Sequence, residues 1–357
     1  MEDKYISKLP SAVDYGAGTF LVVNAVLSIL GNSAVLTAAA KRSSILKAPE
    51  LLSVNLALTD IGMALSMYPL SIASAFNHAW IGGDPSCLYY GLMGFFFSVA
   101  SIMTLAIMAV VRYLVTKTPH YSGNKFDKKK ISILIVFIWL YAMLWALLPV
   151  MGWGKYGPEP FGLSCSFDWA AYSDSLNRST FLLCMFVLCT ALPCIAIVLC
   201  YSGIAWKLHK AYKAIENSQN LPKSSKMERK FTLMAILISS GFIVSWAPYV
   251  VVSFWTMFHS AESVTPVASL LPCLFAKSST SYNPLIYYIF SRSFRREITK
   301  MKCCFGFRVR FFGTDSSAAN HCTAQGNFKE DLIPTCSTNE NNKAIPRPLT
   351  GETTSYL

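Results

Sequence analysis

The chain has 357 residues, of which 53% are hydrophobic and only 14% charged, and its formal net charge is +12. A water-soluble domain needs more charge than this to cover its surface, so the composition excludes an ordinary soluble fold and points to a bilayer as solvent. Met1 to Tyr15 is polar and mixed in charge, with no short apolar stretch ending at a small-residue cleavage site, so the first apolar run is expected to stay as a span.

Runs of about twenty apolar residues, the length that crosses a bilayer as helix, occur near 17–40, 51–75, 88–116, 131–151, 179–206, 229–257 and 266–290. An odd number of spans puts the chain ends on opposite sides. Lys41, Arg42 and Lys47 follow the first span, Lys117, Lys125 and Lys128 to Lys130 the third, and Lys207, Lys210, Lys213, Lys223, Lys226, Arg229 and Lys230 the fifth. The other side carries only Lys4, Lys8, Lys155 and Arg178. The bias of basic residues toward the cytoplasm then puts the N-terminus outside and the C-terminus inside, in a multi-pass protein of the plasma membrane. The positive charge reads as a collar facing anionic lipid and an intracellular partner, with no need of nucleic acid. The expected fold is an all-α membrane protein: an extracellular terminus at 1–16, a seven-transmembrane helix bundle at 17–290, a short amphipathic cytoplasmic helix at 291–304 and a disordered tail at 305–357.

With the collar set aside, Arg112 and Lys277 are the basic residues inside spans and Asp60 is the acid. A charged side chain at the centre of a spanning helix costs roughly 2.5 to 3.5 kcal/mol on insertion scales, which makes Lys277 a functional-site candidate. Snorkelling to the headgroups needs a position near a helix end, and Lys277 has about ten mostly apolar or small residues on either side. A buried lysine also loses its charge readily, and the neutral amine condenses with carbonyl compounds to a Schiff base. Three ionisable groups suit a receptor that switches between packings better than a pump, which would need a chain of carboxylates. Pro69, Pro149, Pro193, Pro248 and Pro284 lie within spans, where a missing backbone hydrogen bond kinks a helix.

Of eleven cysteines, Cys184, Cys189, Cys194, Cys200 and Cys273 fall in or beside spans, and Cys303, Cys304, Cys322 and Cys336 on the reducing side. Cys87, at the start of the third span, and Cys165, in the loop after the fourth, remain and are expected to pair. That bond would draw the loop across the mouth of the bundle.

Further residues carry a resemblance: Gly31-Asn32 in the first span, Asn55-Leu56-Ala57 to Asp60 in the second, Trp139 in the fourth, and Pro193 with Tyr201 in the fifth. Trp246-Ala247-Pro248-Tyr249 in the sixth and Asn283-Pro284-Leu285-Ile286-Tyr287 in the seventh complete a set that resembles the rhodopsin-like (class A) G-protein-coupled receptors over about residues 17–304. Lys277, six residues before Asn283, looks like the retinal-attachment lysine of opsins. The loop residues Gly157-Pro158-Glu159-Pro160-Phe161-Gly162, Ser164-Cys165-Ser166 and Asp168-Trp169, with Gly94-Phe95-Phe96-Phe97, are similar to the neuropsins, a non-visual opsin group.

The resemblance implies retinal, 11-cis or all-trans, as cofactor. A protonated Schiff base at Lys277 needs an anion within a few Å. Vertebrate visual opsins place a glutamate three residues after the third-span cysteine, and Tyr90 stands there. Asp60, with Asn32, belongs in the family to a polar network nearer the cytoplasm. Glu159, six residues before Cys165, matches the loop counterion of opsins that keep their chromophore after photoconversion, and Asp168 is the next acid. Trp246, Tyr249, Gly94, Phe95 and Phe186 are the expected pocket residues. For coupling and switching the resemblance points to Arg112, Tyr113, Glu228, Tyr201, Asn283, Pro284 and Tyr287. The chain departs from its family at Val111-Arg112-Tyr113, where an acid normally precedes the arginine; Glu228 is the remaining partner for Arg112.

Beyond Tyr287, Phe294 with Arg292, Arg295, Arg296, Lys300 and Lys302 suits an amphipathic helix on the lipid surface, and Cys303-Cys304 looks like a palmitoylation pair. The tail is low in large apolar residues; its hydroxyls suit a receptor kinase and an arrestin-like protein, and Ser355-Tyr356-Leu357 has the form of a PDZ ligand. Metal clusters, phosphate loops and hydrolase triads are absent from the sequence. Three functions remain open at this point: a light-activated receptor for a heterotrimeric G protein, a retinal photoisomerase favoured by the missing acid before Arg112, and a receptor in which Lys277 pairs with a diffusible anion.

Overall fold

Two devices start helices where the apolar pattern allows it, side-chain caps and prolines at first-turn positions, and glycines let the helices approach closely. A computed structural model describes residues 3–44, 46–117, 127–173, 175–215, 223–259, 264–292 and 294–299, without the side chains at 3, 170–171, 208, 211–215 and 223–229. These residues belong to a unit covering Met1–Arg308, and a second unit, Val309–Leu357, lies outside them. Lys300, Lys302, the pair Cys303-Cys304, the tail hydroxyls and Ser355-Tyr356-Leu357 therefore fall outside the described residues, as does the side chain of Glu228.

In chain order the helices are α1 (Ser11–Lys41), α2 (Glu50–Ser66), α3 (Tyr68–Phe76), α4 (Gly83–Lys117) and α5 (Lys128–Leu147), then α6 (Leu176–Met185), α7 (Leu192–Ile215), α8 (Lys223–Phe258), α9 (Pro266–Lys277) and α10 (Asn283–Phe290). Between α5 and α6 the strands β1 (Tyr156–Pro158) and β2 (Cys165–Phe167) form an antiparallel hairpin with Tyr156 opposite Phe167 and Pro158 opposite Cys165. Asp127 caps α5 by accepting from the Lys130 amide at 2.8 Å, and Thr265 caps α9 ahead of Pro266. Both satisfy amides that a helix start leaves without partners.

The prolines decide where the spans break. Pro69 lacks an amide hydrogen, and the second span divides at Met67 into α2 and α3. Ahead of Pro193 the fifth span winds into a π-turn, Phe186–Ala191, in which the Leu192 amide reaches back to the Val187 carbonyl. The neighbouring Leu188 carbonyl accepts from the Tyr141 hydroxyl at 3.2 Å. Among the described residues six helical stretches are long and apolar enough to cross a membrane, the second counted across its break at Met67. The seventh reaches that length only as α9, a 3-10 turn at Ser278–Thr280 and α10 taken together.

Helix α1 begins at Ser11, ahead of the apolar run at 17–40. Asp14 is consequently a helical residue, almost fully buried, which accepts from Ser7 Oγ at 2.9 Å and pairs with His78 Nδ1 at 2.9 Å. Asp14 thus adds a buried acid ahead of the first span, outside the runs in which Asp60 is read as the acid. Large apolar side chains such as Leu30, Leu140, Leu199, Val251 and Leu285 point outward, as a lipid-facing surface requires. Inside, α4 packs against α2, α5 and α7, and α8 against α9. Gly31 lets α1 approach the seventh span: a Cβ there would lie 2.7 Å from Pro284 Cγ.

Past the seventh span residues 292 and 294–299 are helical, with Phe294 buried edge-on against Tyr287 at 6.3 Å and Arg292, Arg295 and Arg296 exposed. This is the amphipathic pattern expected of them. Cys87 and Cys165 are bonded, with a Cα–Cα separation of 5.3 Å. The hairpin is thus fastened to the start of α4, and Lys8 joins it by donating its amide to the Phe161 carbonyl at 3.3 Å.

Losing a native disulfide costs about 2 to 4 kcal/mol. Cys87→Ser and Cys165→Ser are each expected to lower the amount of folded protein at the cell surface, and the double substitution to be no worse than either, since both remove one bond. Surface-expression measurements in which the two losses add would contradict the shared bond.

Candidate functional site

The hairpin end of the bundle encloses a predominantly apolar cavity of about 300 Å³, whose walls include Met67, Phe95, Phe167, Trp169, Trp246 and Tyr249. Gly91 and Gly94 of α4 also face it. A Cβ on Gly91 would come within 2.6 Å of the Tyr156 ring, so glycine is what lets the hairpin lie against α4. Phe95 meets Phe167 edge-on at 4.7 Å, and Trp246 carries Phe242 stacked below it at 5.6 Å and Tyr249 edge-on at 6.0 Å. Phe186 differs from expectation. Because the π-turn rotates that part of the fifth span, it lines a smaller neighbouring pocket and leans on Phe254 at 5.6 Å.

Lys277 is the last residue of α9, is 7% exposed, and reaches into this cavity. Its Nζ donates to Ser164 Oγ at 3.2 Å and lies 5.4 Å from the centre of the Tyr90 ring. Ser164 in turn donates to the Tyr90 hydroxyl at 3.2 Å, which shares a 2.5 Å hydrogen bond with Ser71. The amine is therefore met by a hydroxyl chain running from the hairpin through α4 to α3.

Glu159 sits at the tip of the hairpin, 8% exposed, and also lines the cavity. Its backbone amide donates to the Ser164 carbonyl at 2.8 Å, and Gly162 closes the tip with φ near 84°. The carboxylate makes its short contact with Tyr249, whose hydroxyl donates to Oε1 at 2.7 Å, rather than with Lys277. Burial pushes the Glu159 carboxyl above its ordinary range, and hydrogen bonds from Ser166 and Tyr249 and the charge of Lys277 pull it back in part. Asp168 belongs to the stem of the hairpin and is not among the cavity walls.

Below the cavity the polar residues of the spans interlock. Asn32 donates to the Thr280 carbonyl at 2.9 Å, Asn283 donates to Asp60 Oδ2 at 2.9 Å, and Trp246 Nε1 donates to Ser279 Oγ at 3.2 Å. At the far end Val111 is buried, and the Arg112 guanidinium lies over the ring of Phe231 on α8 at 5.5 Å. Tyr113 packs against Gly203, and Tyr201 pairs with Ser239 of α8 at 3.4 Å.

Sequence reasoning missed Ser164 as a partner of Lys277, and missed Trp169, Phe167 and Met67 as walls. Asn24 and Tyr68, which hold the Lys277 carbonyl, were missed as well. For Asn24 a signal existed, an amide side chain in the middle of an apolar run. For the hairpin residues none did, since their place depends on the disulfide and the hairpin register.

The family described as "7 transmembrane receptor (rhodopsin family)" matches residues 31–287. The chain is 35% identical to Opsin-5 of Homo sapiens over 314 residues, covering 86% of this chain and 88% of that protein. It is 34% identical to Rhodopsin of Enteroctopus dofleini over 311 residues, covering 83% and 68%. The crystal structure of squid rhodopsin superposes with a TM-score of 0.76 at 31% identity, covering 88% of this chain and 92% of that one. Together with a seven-span bundle closed over a buried lysine, these likenesses show that the chain belongs to the rhodopsin family of seven-transmembrane receptors and, within it, is an opsin similar to the neuropsins.

Proposed function

We propose that this opsin senses light through retinal held covalently on Lys277, and passes the resulting change to a heterotrimeric G protein at the Arg112 end of the bundle. The observation that carries the reading is a buried primary amine projecting into an apolar cavity beside a buried carboxylate. Such a site fits a long apolar aldehyde: the walls match a hydrocarbon chain, and the amine is the atom that takes the carbonyl carbon. When bound, retinal supplies light absorption and isomerisation about a double bond.

The chain's own residues supply the rest. Ser164 and Tyr90 fix the direction of Lys277 Nζ. Glu159 is the counterion that holds a proton on that nitrogen from the hairpin side, and Tyr249 orients its carboxylate. Trp246 is the floor. It stands on the same helix, α8, as Tyr249 above it and Phe231 beside Arg112, so a change of shape against the floor is carried along α8 to the signalling end. The basic collar supports a cytoplasmic position for that end.

Reconstitution with retinal, followed by absorbance spectra before and after illumination, tests the attachment. Lys277→Ala and Lys277→Arg should each abolish the retinal-dependent band completely, because neither side chain forms the imine. A light-sensitive band in either folded variant would refute it.

The raised Glu159 carboxyl sets the sign of the pH dependence. As pH falls, Glu159 takes a proton before an exposed carboxylate would, so the wild-type band should change at a pH above the ordinary carboxylate range. Glu159→Gln should remove that transition. It should also make the visible band give way to an ultraviolet one at lower pH on the alkaline side. If Glu159→Gln leaves both transitions in place and Asp168→Asn moves them, Asp168 is the counterion.

Val111 favours a second reading, photoisomerisation without strong signalling, because Arg112 lacks the usual acid before it. The ring of Phe231 is a restraint on Arg112 that bears on the choice. A half-exposed cation–π contact contributes about 0.5 to 1 kcal/mol, so Phe231→Ala should raise dark nucleotide exchange on a purified G protein roughly two- to fivefold, and Val111→Asp should lower it. If wild type and both variants activate no G-protein class while light still converts retinal, the photoisomerase reading replaces the receptor reading.

A further inference from the structure

The helix that carries Lys277 stops at Lys277. In an unbroken α-helix the Ser281 amide would return to the Lys277 carbonyl; here the 3-10 turn sends it to Ser278 at 3.1 Å instead. Besides the Thr280 hydroxyl of its own turn, at 3.2 Å, the Lys277 carbonyl takes side-chain donors from two other helices. Asn24 Nδ2 on α1 donates to it at 3.0 Å and the Tyr68 hydroxyl on α3 at 2.8 Å. Asn24 also donates to the Tyr68 oxygen at 3.0 Å, and Thr280 Oγ1 lies 2.8 Å from the same oxygen.

The protons can be assigned without conflict. The two amide hydrogens of Asn24 go to Tyr68 and to Lys277, Tyr68 gives its own to Lys277, and the Thr280 hydroxyl has the Tyr68 oxygen at 2.8 Å and the Lys277 carbonyl at 3.2 Å as acceptors. Tyr68 thus accepts from Asn24 and donates to Lys277. Asn24, Tyr68 and Thr280 are each 4% exposed or less, so no bulk water competes for these bonds. Helix packing alone does not call for this arrangement: an alanine and a phenylalanine at these two places would pack in a bilayer interior without any polar obligation.

We propose that Asn24 and Tyr68 are positioning residues for the attachment lysine: they clamp its main chain at the break, and so set the angle at which its side chain crosses the cavity toward Ser164 and Tyr90. The proposal rests on the reading of Lys277 as the retinal attachment site. It assigns neither residue any contact with the ligand, and the cavity walls include neither. A one-sided pull on the carbonyl, from α1 and α3 together, leaves the Lys277 side chain free to point the other way. The clamp also explains why the turn falls where it does, since moving it by a residue would carry the carbonyl out of reach of both donors.

The test compares wild type with Tyr68→Phe and Asn24→Leu, which remove the donors but keep apolar bulk. Ser101→Ala is the control: it deletes a buried hydrogen bond between α4 and α2, Ser101 to Thr59 at 2.9 Å, that does not touch Lys277. Without any ligand, the proteins are reductively methylated with isotope-labelled formaldehyde, and the Lys277 dimethylamine resonance is assigned by its loss in Lys277→Arg. Both clamp variants should move that resonance, which lies beside the Tyr90 ring, while the control leaves it in place and lowers only the unfolding temperature. After reconstitution with retinal, both clamp variants should shift the absorption band. They should also lose it to hydroxylamine in the dark roughly fivefold faster, the factor that corresponds to one net hydrogen bond. Unmoved resonance, band and hydroxylamine rate in Tyr68→Phe overturn the proposal, as does an equal change in Ser101→Ala. Asn24→Leu decides in the same way if Tyr68→Phe does not fold. If wild type forms no Lys277-dependent band, the attachment reading fails instead, and the resonance of the ligand-free protein still decides the clamp.

Discussion

A primary amine in the middle of a bilayer-spanning segment is the constraint to which the upper half of this receptor answers. Such a group is expensive in hydrocarbon unless polar partners meet it. Here they come from every side that the fold can offer: Ser164 from the hairpin, the face of Tyr90 from α4, and, on its main chain, Asn24 from α1 and Tyr68 from α3. The helix break at Lys277 is part of the same solution. It opens the backbone for side-chain donors and sends the chain on into the turn whose Ser279 and Thr280 hold Trp246 and Asn32.

The hairpin matters as much as the lysine. Antiparallel pairing brings Glu159 and Ser164 to one short tip, and the Cys87–Cys165 bond presses that tip over the cavity. The two residues then do different work. Ser164 meets the amine, while Glu159 turns to Tyr249 on α8. The counterion proposed for the lysine is therefore bonded to the helix that carries the floor residue, and the charge balance of the pocket is tied to the position of that helix.

At the far end the same helix meets Arg112 through an aromatic ring. With valine before it, the arginine has no acidic neighbour at that position on its own helix, and Phe231 supplies a face for the guanidinium. A cation–π contact is weaker and less directional than a buried ion pair.

The sequence by itself determined the class of protein, the spans, the lysine, the disulfide partners and the family. Each of these depends on a local property: the length of an apolar run, one charge out of place, the compartment of a cysteine, or a proline at a fixed distance from an asparagine. It also singled out Trp246, Tyr249, Gly94 and Phe95, which line the cavity, because residues on one face of a helix keep their relation to one another wherever the helix goes. Tertiary structure alone decided the rest. The π-turn before Pro193 begins at Phe186 itself, whose side chain lines the side pocket. The early start of α1 buried Asp14 with His78, a pairing across helices that no spacing encodes. The partners of Lys277, Ser164 and Tyr90 at its amine and Asn24 and Tyr68 at its carbonyl, come from segments far apart in the chain. Which donor reaches that carbonyl depends on helix packing and on where one turn interrupts the seventh span.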